Sequence, residues 1–229
     1  MKKLLKRIAL CPSVSKRIVS ILARVHQRSY RYMGEFATAA EGGLHPKHRI
    51  MKYKEWFLDH IEPGWVVIDV GCNTGLMPEL LSQKAMFVYG VEIEERLVME
   101  AKSKRQKPNV EYICADATKY DFSGKTVDCV TLSNVIEHIE DRVGFLKAII
   151  KNLRWNGDKR ILIRVPMIDR EWLVIYKKEL GIDYRLDPTH FTEYTLEQLM
   201  DELSRAGIEI IEHSVKFGEI YASCMARLS

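Results

Sequence analysis

The sequence predicts an α/β fold: a seven-stranded, mostly parallel sheet with helices on both faces and an antiparallel hairpin at the C-terminus. Short, β-branched-rich apolar runs alternate with helical stretches from about residue 46 onward. These runs lack polar alternation, as strands do when helices cover both faces of a parallel sheet. The last two runs are separated by only two residues, so they must pair antiparallel, because a parallel pair needs a crossover of a dozen or more residues.

Turn-forming residues set the expected limits of each element. The five parallel strands are expected at Val66–Val70, Phe87–Ile93, Val110–Ala115, Val127–Leu132 and Ile161–Val165. The hairpin strands are expected at Ile208–Phe217 and Ile220–Leu228. Helices are expected at Met77–Gln83, Glu94–Arg105, Asp141–Leu153 and Thr195–Ala206. The last helix has the clearest signals, since Thr195 can cap its start and Gly207 can end it.

Composition places the 229-residue chain among ordinary globular proteins. With 47% hydrophobic and 29% charged residues, it is not expected to be collagen-like, coiled-coil or wholly disordered. No apolar run approaches the ~18 residues of a membrane span, and Lys6 and Arg7 interrupt a run too short for a signal core. The five cysteines are scattered and form no CxxC pair, which predicts a reducing compartment without disulfides or a zinc site. We therefore expect a cytoplasmic protein.

Positive charge is concentrated at the N-terminus. Residues 1–34 hold nine Lys and Arg and no acid, although the whole chain has a net charge of only +4. Ile18, Ile21, Leu22 and Val25 follow helical spacing, with arginines on the other side. One interpretation is an amphipathic helix that binds an anionic membrane surface or an acidic partner, peripheral to the membrane in the first case. The alternative is a helix that packs on its own domain and exposes a solvated basic face.

A glycine-bearing turn follows the first predicted strand. The segment runs from Val66 through Asp69 to Gly71 and Gly75, a strand entering a turn and then a helix. The two glycines permit positive φ and close approach of the backbone to a ligand. Asp69 is placed to accept hydrogen bonds from an ammonium group or an ordered water. Ligands of such sheets bind at the carboxyl ends of the strands, so this turn is the first candidate site.

Two more acids end the next two strands. Glu92 closes the second strand, 23 residues after Asp69, where an acid accepts both hydroxyls of a ribose. Asp116 closes the third strand and is placed to accept from an adenine amino group. The turn and the two acids, each at a strand end and in order, predict a nucleoside-containing cofactor.

These motifs resemble those of class I S-adenosylmethionine-dependent methyltransferases, which have a Rossmann-like fold. The resemblance rests on DVGCNTG, VYGVEI, CADAT, VDCVTLSNVIEHIED and ILIRVP, and covers roughly residues 46–229. It is strongest to small-molecule enzymes similar to those of ubiquinone and menaquinone biosynthesis. It implies a methyltransferase domain over 46–229, which follows a basic helical extension over 1–45. The long connection 167–194 is expected to be an insertion that caps the substrate.

The resemblance also implies the cofactor, S-adenosyl-L-methionine, with S-adenosyl-L-homocysteine as product. The residues expected to bind it are Arg49, Asp69, Gly71, Cys72, Asn73, Gly75, Glu92, Asp116, Ala117, Ser133 and Asn134. Among these, Arg49 is the nearest counterpart of an arginine that holds the methionine carboxylate. Asn73 stands where the family usually has glycine, but asparagine tolerates left-handed backbone better than most residues. Ser133 and Asn134 are expected to line the face where the methyl is transferred.

Two histidines are candidates for catalysis. His190 lies in the long connection and either deprotonates a hydroxyl, with Asp187 orienting it, or is a capping or core histidine that bonds to the backbone. His138 lies in the NVIEHIED segment and either acts on the substrate or fixes the loop after the fourth strand. Aromatic residues in the connection suit an apolar acceptor: Trp172, Tyr176, Tyr184, Phe191 and Tyr194. The sequence predicts methylation of a small-molecule acceptor, at oxygen rather than nitrogen or carbon.

Other functions remain as alternatives. The basic N-terminus keeps an RNA substrate open on electrostatic grounds, although no Asp/Asn-Pro-Pro-aromatic segment follows the fourth strand. A dehydrogenase would have GxGxxG, whereas the spacing here is GxxxG. A third alternative is a pseudo-enzyme that binds the cofactor and acts as a partner subunit. No clustered metal-ligand spacing occurs, so the sequence predicts no metal site.

Overall fold

A computed structural model describes residues 11–227. In chain order its elements are α1 (Pro12–Ala40), α2 (Lys47–Met51), α3 (Tyr53–Asp59), β1 (Val66–Val70), α4 (Leu76–Leu81), β2 (Phe87–Glu92), α5 (Glu95–Lys104), β3 (Val110–Cys114), β4 (Thr126–Ser133), a 3₁₀ turn (Ile136–His138), α6 (Arg142–Asn152), β5 (Arg154–Pro166), α7 (Trp172–Glu179), α8 (Leu196–Ala206), β6 (Ile208–Lys216) and β7 (Glu219–Ala226). The chain divides into two compact units. One contains Glu171–Pro188 with the described part of Met1–Lys52, and the other contains Tyr53–Arg170 with the described part of Thr189–Ser229.

The larger unit is built on one sheet with the strand order β3-β2-β1-β4-β5-β7-β6. Strands β1 to β5 are parallel, and β7 is antiparallel to both β5 and β6. Neighbouring residues of the central strands are buried on opposite faces, as Val67 and Ile68 are in β1. Both faces of the sheet are therefore covered, as the absence of polar alternation predicted. The α/β fold class is confirmed.

Strand and helix ends agree with the sequence to within a residue or two, with one larger difference. β5 begins at Arg154, seven residues before the predicted start at Ile161. Its first residues, Arg154 and Trp155, pair with Thr126 and Val127, and a register shift separates this pairing from the main one. The early part contains Gly157 among polar residues, so no apolar run marks it. The predicted end of the last strand, Leu228, lies outside the described residues.

Local signals explain where the helices stop and start. The Thr195 hydroxyl accepts a hydrogen bond from the Gln198 amide, and Gly207 ends α8 at φ 80°, as predicted. Asp141 caps α6 by accepting from the Gly144 amide at 2.9 Å. These two helices contribute most of their apolar side chains to the core: Phe145, Leu146, Ile149, Ile150, Leu199, Leu203 and Ala206.

The smaller unit contains the long N-terminal helix. α1 begins at Pro12, whose fixed φ and missing N–H suit the first turn of a helix, and it continues for 29 residues. Of its residues only Ala23 is buried. Ile18, Ile21, Leu22 and Val25 are exposed, so residues 11–227 leave the predicted apolar stripe uncovered. None of the helices described is long and apolar enough to cross a bilayer.

Candidate cofactor and acceptor site

The order of the strands creates the site. β1 lies between β2 and β4. The connection after β1 leads to β2 on one side, and the connection after β4 leads to β5 on the other side. Loops after β1 and β4 therefore separate and open a crevice at the carboxyl ends of the strands. Five predicted site residues lie at these ends: Asp69, Glu92, Asp116, Ser133 and Asn134.

The turn after β1 has the left-handed backbone that its residues suggested. Gly71, Asn73 and Gly75 have φ of 69°, 50° and 82°. A Cβ on Gly71 would lie 2.8 Å from a methyl of Val135, and one on Gly75 would lie 2.6 Å from the Tyr112 hydroxyl. Glycine is therefore required at both ends of the turn. Asn73 adopts the conformation that the usual glycine would supply, so this departure leaves the shape of the turn intact.

Glu92 connects the end of β2 to this turn. One carboxylate oxygen accepts from the Asn73 amide at 2.9 Å, and the other accepts from the amides of Ile93 and Glu94 at 2.8 and 3.1 Å. The residue is buried. Each carboxylate oxygen has further lone pairs, so the group can still accept hydroxyls while it fixes the turn. This position fits a ribose-binding acid.

Asp69 is buried inside the carboxyl end of β1. Its carboxylate accepts from the Thr131 hydroxyl of β4 at 2.5 Å. Burial raises the pKa of Asp69 to about 7, and the Thr131 hydrogen bond opposes this increase. Cys72 is buried close by, and burial likewise raises the pKa of its thiol. The site therefore holds a carboxyl group that changes charge near neutral pH.

This titration predicts a pH-dependent stability. An unfolded Asp69 ionises near pH 4 but the folded one near pH 7, so stability should fall by about 1.4 kcal/mol per pH unit between these limits and level off above pH 7. The melting temperature of Asp69→Asn, relative to that of the wild type, should therefore increase as the pH rises from 5 to 7. Calorimetric melts of the cofactor-free protein test this. Asp201→Asn, on the exposed side of α8, is the control, and a constant difference across the pH series would contradict the assignment.

Asp116 ends β3 with its oxygens already in contact with the chain. One accepts from the amide and hydroxyl of Thr118 at 3.0 and 2.6 Å, and the other pairs with Lys119 at 3.0 Å. The Thr118 hydroxyl, more than Lys119, lowers the pKa of Asp116. Ala117 is partly buried and packs against the core. The adenine-binding role of Asp116 and Ala117 stays a prediction.

Arg49 belongs to the smaller unit. Its guanidinium lies 2.6 Å from the Glu41 carboxylate, and its side chain is 66% exposed. The hydrogen bond that Arg49 donates to Glu41 raises the pKa of Arg49. Its predicted contact with a methionine carboxylate stays a prediction, and it would require the guanidinium to exchange Glu41 for that ligand.

Arg164 fixes the loop after β4. Asn134 has φ 57°, and its side-chain oxygen accepts from Arg164 at 3.1 Å. Arg164 is buried, pairs with Glu219 at 3.2 Å and lies over the Tyr53 ring. Ser133 immediately precedes Asn134 at the end of β4. The loop is therefore held in one position beside the glycine turn, which Val135 contacts.

Both candidate histidines lie at this loop. The rings of His138 and His190 meet edge to face with centroids 4.6 Å apart. Nδ1 of His138 is 2.8 Å from the Thr189 hydroxyl, and Nδ1 of His190 is 3.2 Å from the Glu193 carboxylate. Glu193 thus lies where a group that orients His190 is needed, and the orienting role of Asp187 stays a prediction. His190 is buried and His138 is exposed.

Glu137 adds a buried carboxylate that sequence reasoning missed. It is fully buried, and neither of its carboxylate oxygens has a hydrogen-bond partner among the described residues. Burial raises the pKa of Glu137 to about 8, although its own backbone amide and, less strongly, nearby Arg164 oppose the increase. Its backbone carbonyl accepts from the Phe191 amide at 2.8 Å, which joins the two loops. Glu137, His138 and His190 each bring a ligand atom within 4.8 Å of the others.

Three further residues were missed. Thr189 and Arg164 act through contacts distant in sequence, with His138 and Asn134, whereas Glu193 is only three residues from the histidine that it contacts. One signal was available for Glu137. Glu137 is an acid within the mainly apolar segment Val135-Ile136-Glu137-His138-Ile139. Burial of a charged side chain in such a segment is unfavourable unless the charge meets a partner.

Comparisons with known proteins identify relatives of this sequence. A family model described as "Methyltransferase domain" matches residues 68–159. A ubiquinone biosynthesis O-methyltransferase of Coxiella burnetii (strain Dugway 5J108-111) is 32% identical over 120 residues, which are 48% of this chain and 50% of the relative. Its counterpart in Rhizobium etli (strain ATCC 51251 / DSM 11541 / JCM 21823 / NBRC 15573 / CFN 42) is 28% identical over 162 residues, 67% of this chain and 64% of the relative. The chain thus matches about half the length of the first relative.

A solved structure shows the same fold. Magnesium protoporphyrin IX methyltransferase (ChlM) from Synechocystis PCC 6803 with bound SAH superimposes with a TM-score of 0.60 and 20% identity. The match covers 79% of this chain and 83% of that one. The resemblance expected from the sequence, to methyltransferases with a Rossmann-like fold, is confirmed.

Proposed function

Since residues 68–159 form a methyltransferase domain of the class I S-adenosylmethionine-dependent family, we propose that the chain methylates a hydroxyl oxygen of a small-molecule acceptor. The observation that carries this proposal is the pair His138 and His190, held beside the glycine turn by the loop whose Val135 contacts Gly71. Relatives named ubiquinone biosynthesis O-methyltransferases support a small acceptor and an oxygen nucleophile.

The chain's residues divide into those that hold the cofactor and those that act on the acceptor. When bound, the cofactor supplies a methyl group made electrophilic by its sulfonium. Glu92 accepts the ribose hydroxyls, Asp116 accepts from the adenine amino group, and Asp69 accepts from the ammonium or an ordered water. Most of the rate enhancement then comes from alignment, because the nucleophile must approach to ~3 Å in line with the methyl.

On the acceptor side, His190 is the group that acts on the hydroxyl. Its ring is buried, and the Glu193 carboxylate lies 3.2 Å from Nδ1, so we assign transfer of the acceptor's proton to Nε2. Glu193 is itself held by an ion pair with Arg170. The Phe191 side chain is 59% exposed next to this histidine and offers apolar surface to an acceptor. An apolar small molecule with one reactive hydroxyl fits these groups best.

Two measurements test this function in order. Calorimetric titration should give micromolar binding of S-adenosylhomocysteine and none of NADH. Transfer of labelled methyl is then measured on simple phenols and catechols, with and without a prenyl tail, on hexose glycosides and on total RNA. Labelling of an apolar phenol or catechol supports the proposal. Labelling of RNA alone, or binding without transfer to any acceptor, favours an RNA enzyme or a pseudo-enzyme instead.

We also propose that α1 attaches the protein to an anionic membrane surface. Except for Tyr30, its exposed large apolar side chains recur with helical spacing and so form one stripe along the helix: Val14, Ile18, Ile21, Leu22, Val25, Tyr32, Met33 and Phe36. A stripe of this length on the outside of a helix is typical of an interfacial helix.

The charges of α1 favour lipid over an acidic protein partner. Four arginines are exposed beside the stripe and form no ion pair among residues 11–227: Arg17, Arg24, Arg28 and Arg31. Anionic headgroups complement such a row along its whole length, while the apolar stripe enters the acyl boundary. Attachment to a bilayer would place the methyltransferase domain near apolar acceptors.

Removal of one of these charges should weaken binding to vesicles. Arg24→Gln should lower the partition coefficient onto vesicles of phosphatidylglycerol and phosphatidylcholine about fivefold, since a basic residue near such a surface contributes about 1 kcal/mol. Lys147→Gln makes the same charge change on α6 and should leave binding unchanged. Vesicle co-sedimentation measures both. Equal binding of the wild type to pure phosphatidylcholine would remove the electrostatic part of this proposal.

A further inference from the structure

We propose that Glu137, His138 and His190 bind a divalent transition-metal ion that holds the acceptor hydroxyl, an inference that rests on the methyltransferase function proposed above. The three side chains come from two segments, the 3₁₀ turn after β4 and the loop before α8. Their ligand atoms lie within 4.8 Å of one another. An ion with bonds of about 2.0–2.2 Å requires its ligands to lie roughly 3–4 Å apart, so a rotamer adjustment closes the site.

The buried carboxylate is the independent evidence for a ligand. Glu137 has no exposed surface, and neither carboxylate oxygen has a hydrogen-bond partner in the described part of the chain. Burial of an unpaired carboxylate is costly, and native proteins offset the cost with a hydrogen bond, a counter-charge or a metal. The two neighbouring imidazoles can join the carboxylate as ligands, and the three side chains together form a site for a cation.

The surroundings of the histidines are those of metal ligands. A ligating imidazole usually donates its second N–H to a carboxylate, a carbonyl or another oxygen, which fixes the ring and its tautomer. His190 has Glu193 at Nδ1, and His138 has the Thr189 hydroxyl at Nδ1. Nε2 of each ring is then the atom that binds the ion. The Phe191 amide bonds to the Glu137 carbonyl and keeps the two segments together.

The donor set indicates which ions fit. Two imidazoles and one carboxylate suit manganese, iron, cobalt, nickel or zinc, whereas magnesium and calcium prefer oxygen ligands throughout. Three protein ligands leave coordination positions open, which is typical of catalytic rather than structural sites. A hydroxyl at an open position would lose its proton more readily, to solvent or buffer, as its oxygen forms a bond to the methyl carbon and the carbon–sulfur bond breaks. This arrangement would favour a hydroxyl acceptor over an amine or a carbon.

Direct metal binding tests the proposal without any acceptor. Cobalt(II) and zinc(II) are titrated separately into the metal-stripped full-length protein, followed by visible absorption for cobalt and by calorimetry for both. One ion should bind per chain. His138→Gln and Glu137→Gln should each raise the dissociation constant at least tenfold. The matched controls His213→Gln and Glu140→Gln, both exposed, should leave it unchanged.

Separate readouts distinguish failure of the ion from failure of the enzyme. His138 is exposed, so its variant should keep the fold and bind S-adenosylhomocysteine as the wild type does. Loss of methyl transfer in EDTA, with recovery when zinc or manganese is restored, supports the proposal. Full transfer in EDTA would overturn it and leave the methyltransferase function intact. If all four variants bound cobalt and zinc as tightly as the wild type does, this site would also be rejected.

Discussion

His190→Ala should lower the turnover of methyl transfer by about 10²–10⁴, because the acceptor hydroxyl then loses the group that acts on its proton. The side chain is buried, contacts the His138 ring and is held by Glu193, so its position is fixed before any acceptor binds. The measurement is initial-rate transfer of labelled methyl to the best phenol or catechol of the acceptor panel, at saturating cofactor.

The control for this variant is a histidine outside the site. His213→Ala lies on an exposed part of β6 and should retain the wild-type rate. The dissociation constant for S-adenosylhomocysteine should be unchanged in both variants, because neither histidine is among the residues proposed to hold the cofactor. A loss of rate below threefold in His190→Ala would assign this histidine to the structure of the loop.

The two roles considered for His190 predict different effects of His190→Ala on metal binding. If His190 only accepts a proton, His190→Ala should bind cobalt as tightly as the wild type does. If it is a ligand of the proposed ion, the variant should lose affinity for cobalt together with turnover, and His138→Gln should do the same. Comparison of the two variants therefore separates general-base catalysis from metal-assisted activation of the hydroxyl.

The parts of the fold that were predictable depend on local patterns. The buried strands show as β-branched apolar runs, and Thr195 and Gly207 bound α8 by chemistry that acts within one turn of a helix. The early part of β5 could not be predicted, because Arg154 and Trp155 are ordered by pairing with β4 rather than by an apolar run of their own.

The same division applies to the candidate site. Each predicted acid at a strand end lies where its sequence position required, since the carboxyl ends of parallel strands meet at one edge. The cluster of Glu137, His138 and His190 forms only when the loop before α8 folds against the turn after β4. Such a contact leaves no periodicity or spacing in the sequence, so a search for clustered ligands passes over it.

Glu92→Ala should weaken binding of S-adenosylhomocysteine by roughly 1.5–3 kcal/mol, which is about 10- to 150-fold in the dissociation constant. Two losses add in this variant. The ribose hydroxyls lose a charged acceptor, and the Asn73 amide loses the carboxylate that holds the glycine turn at 2.9 Å. Calorimetric titration measures the effect, with a thermal melt to establish that the variant is folded.

Glu94→Ala is the matched control, because it removes a carboxylate two residues away whose side chain is 61% exposed, and affinity should stay within twofold. Glu92→Gln separates the two losses of Glu92→Ala. Its amide oxygen can still accept from the Asn73 amide, but its NH2 group cannot accept from the amides of Ile93 and Glu94 as the carboxylate does. The contact to the turn is therefore kept while the charge and those two contacts are lost, and the affinity should be intermediate. If Glu92→Gln and Glu92→Ala were equally weak, the charge at the ribose would decide affinity. If Glu92→Gln bound like the wild type, Glu92 would act through the turn alone, and the ribose assignment would be wrong.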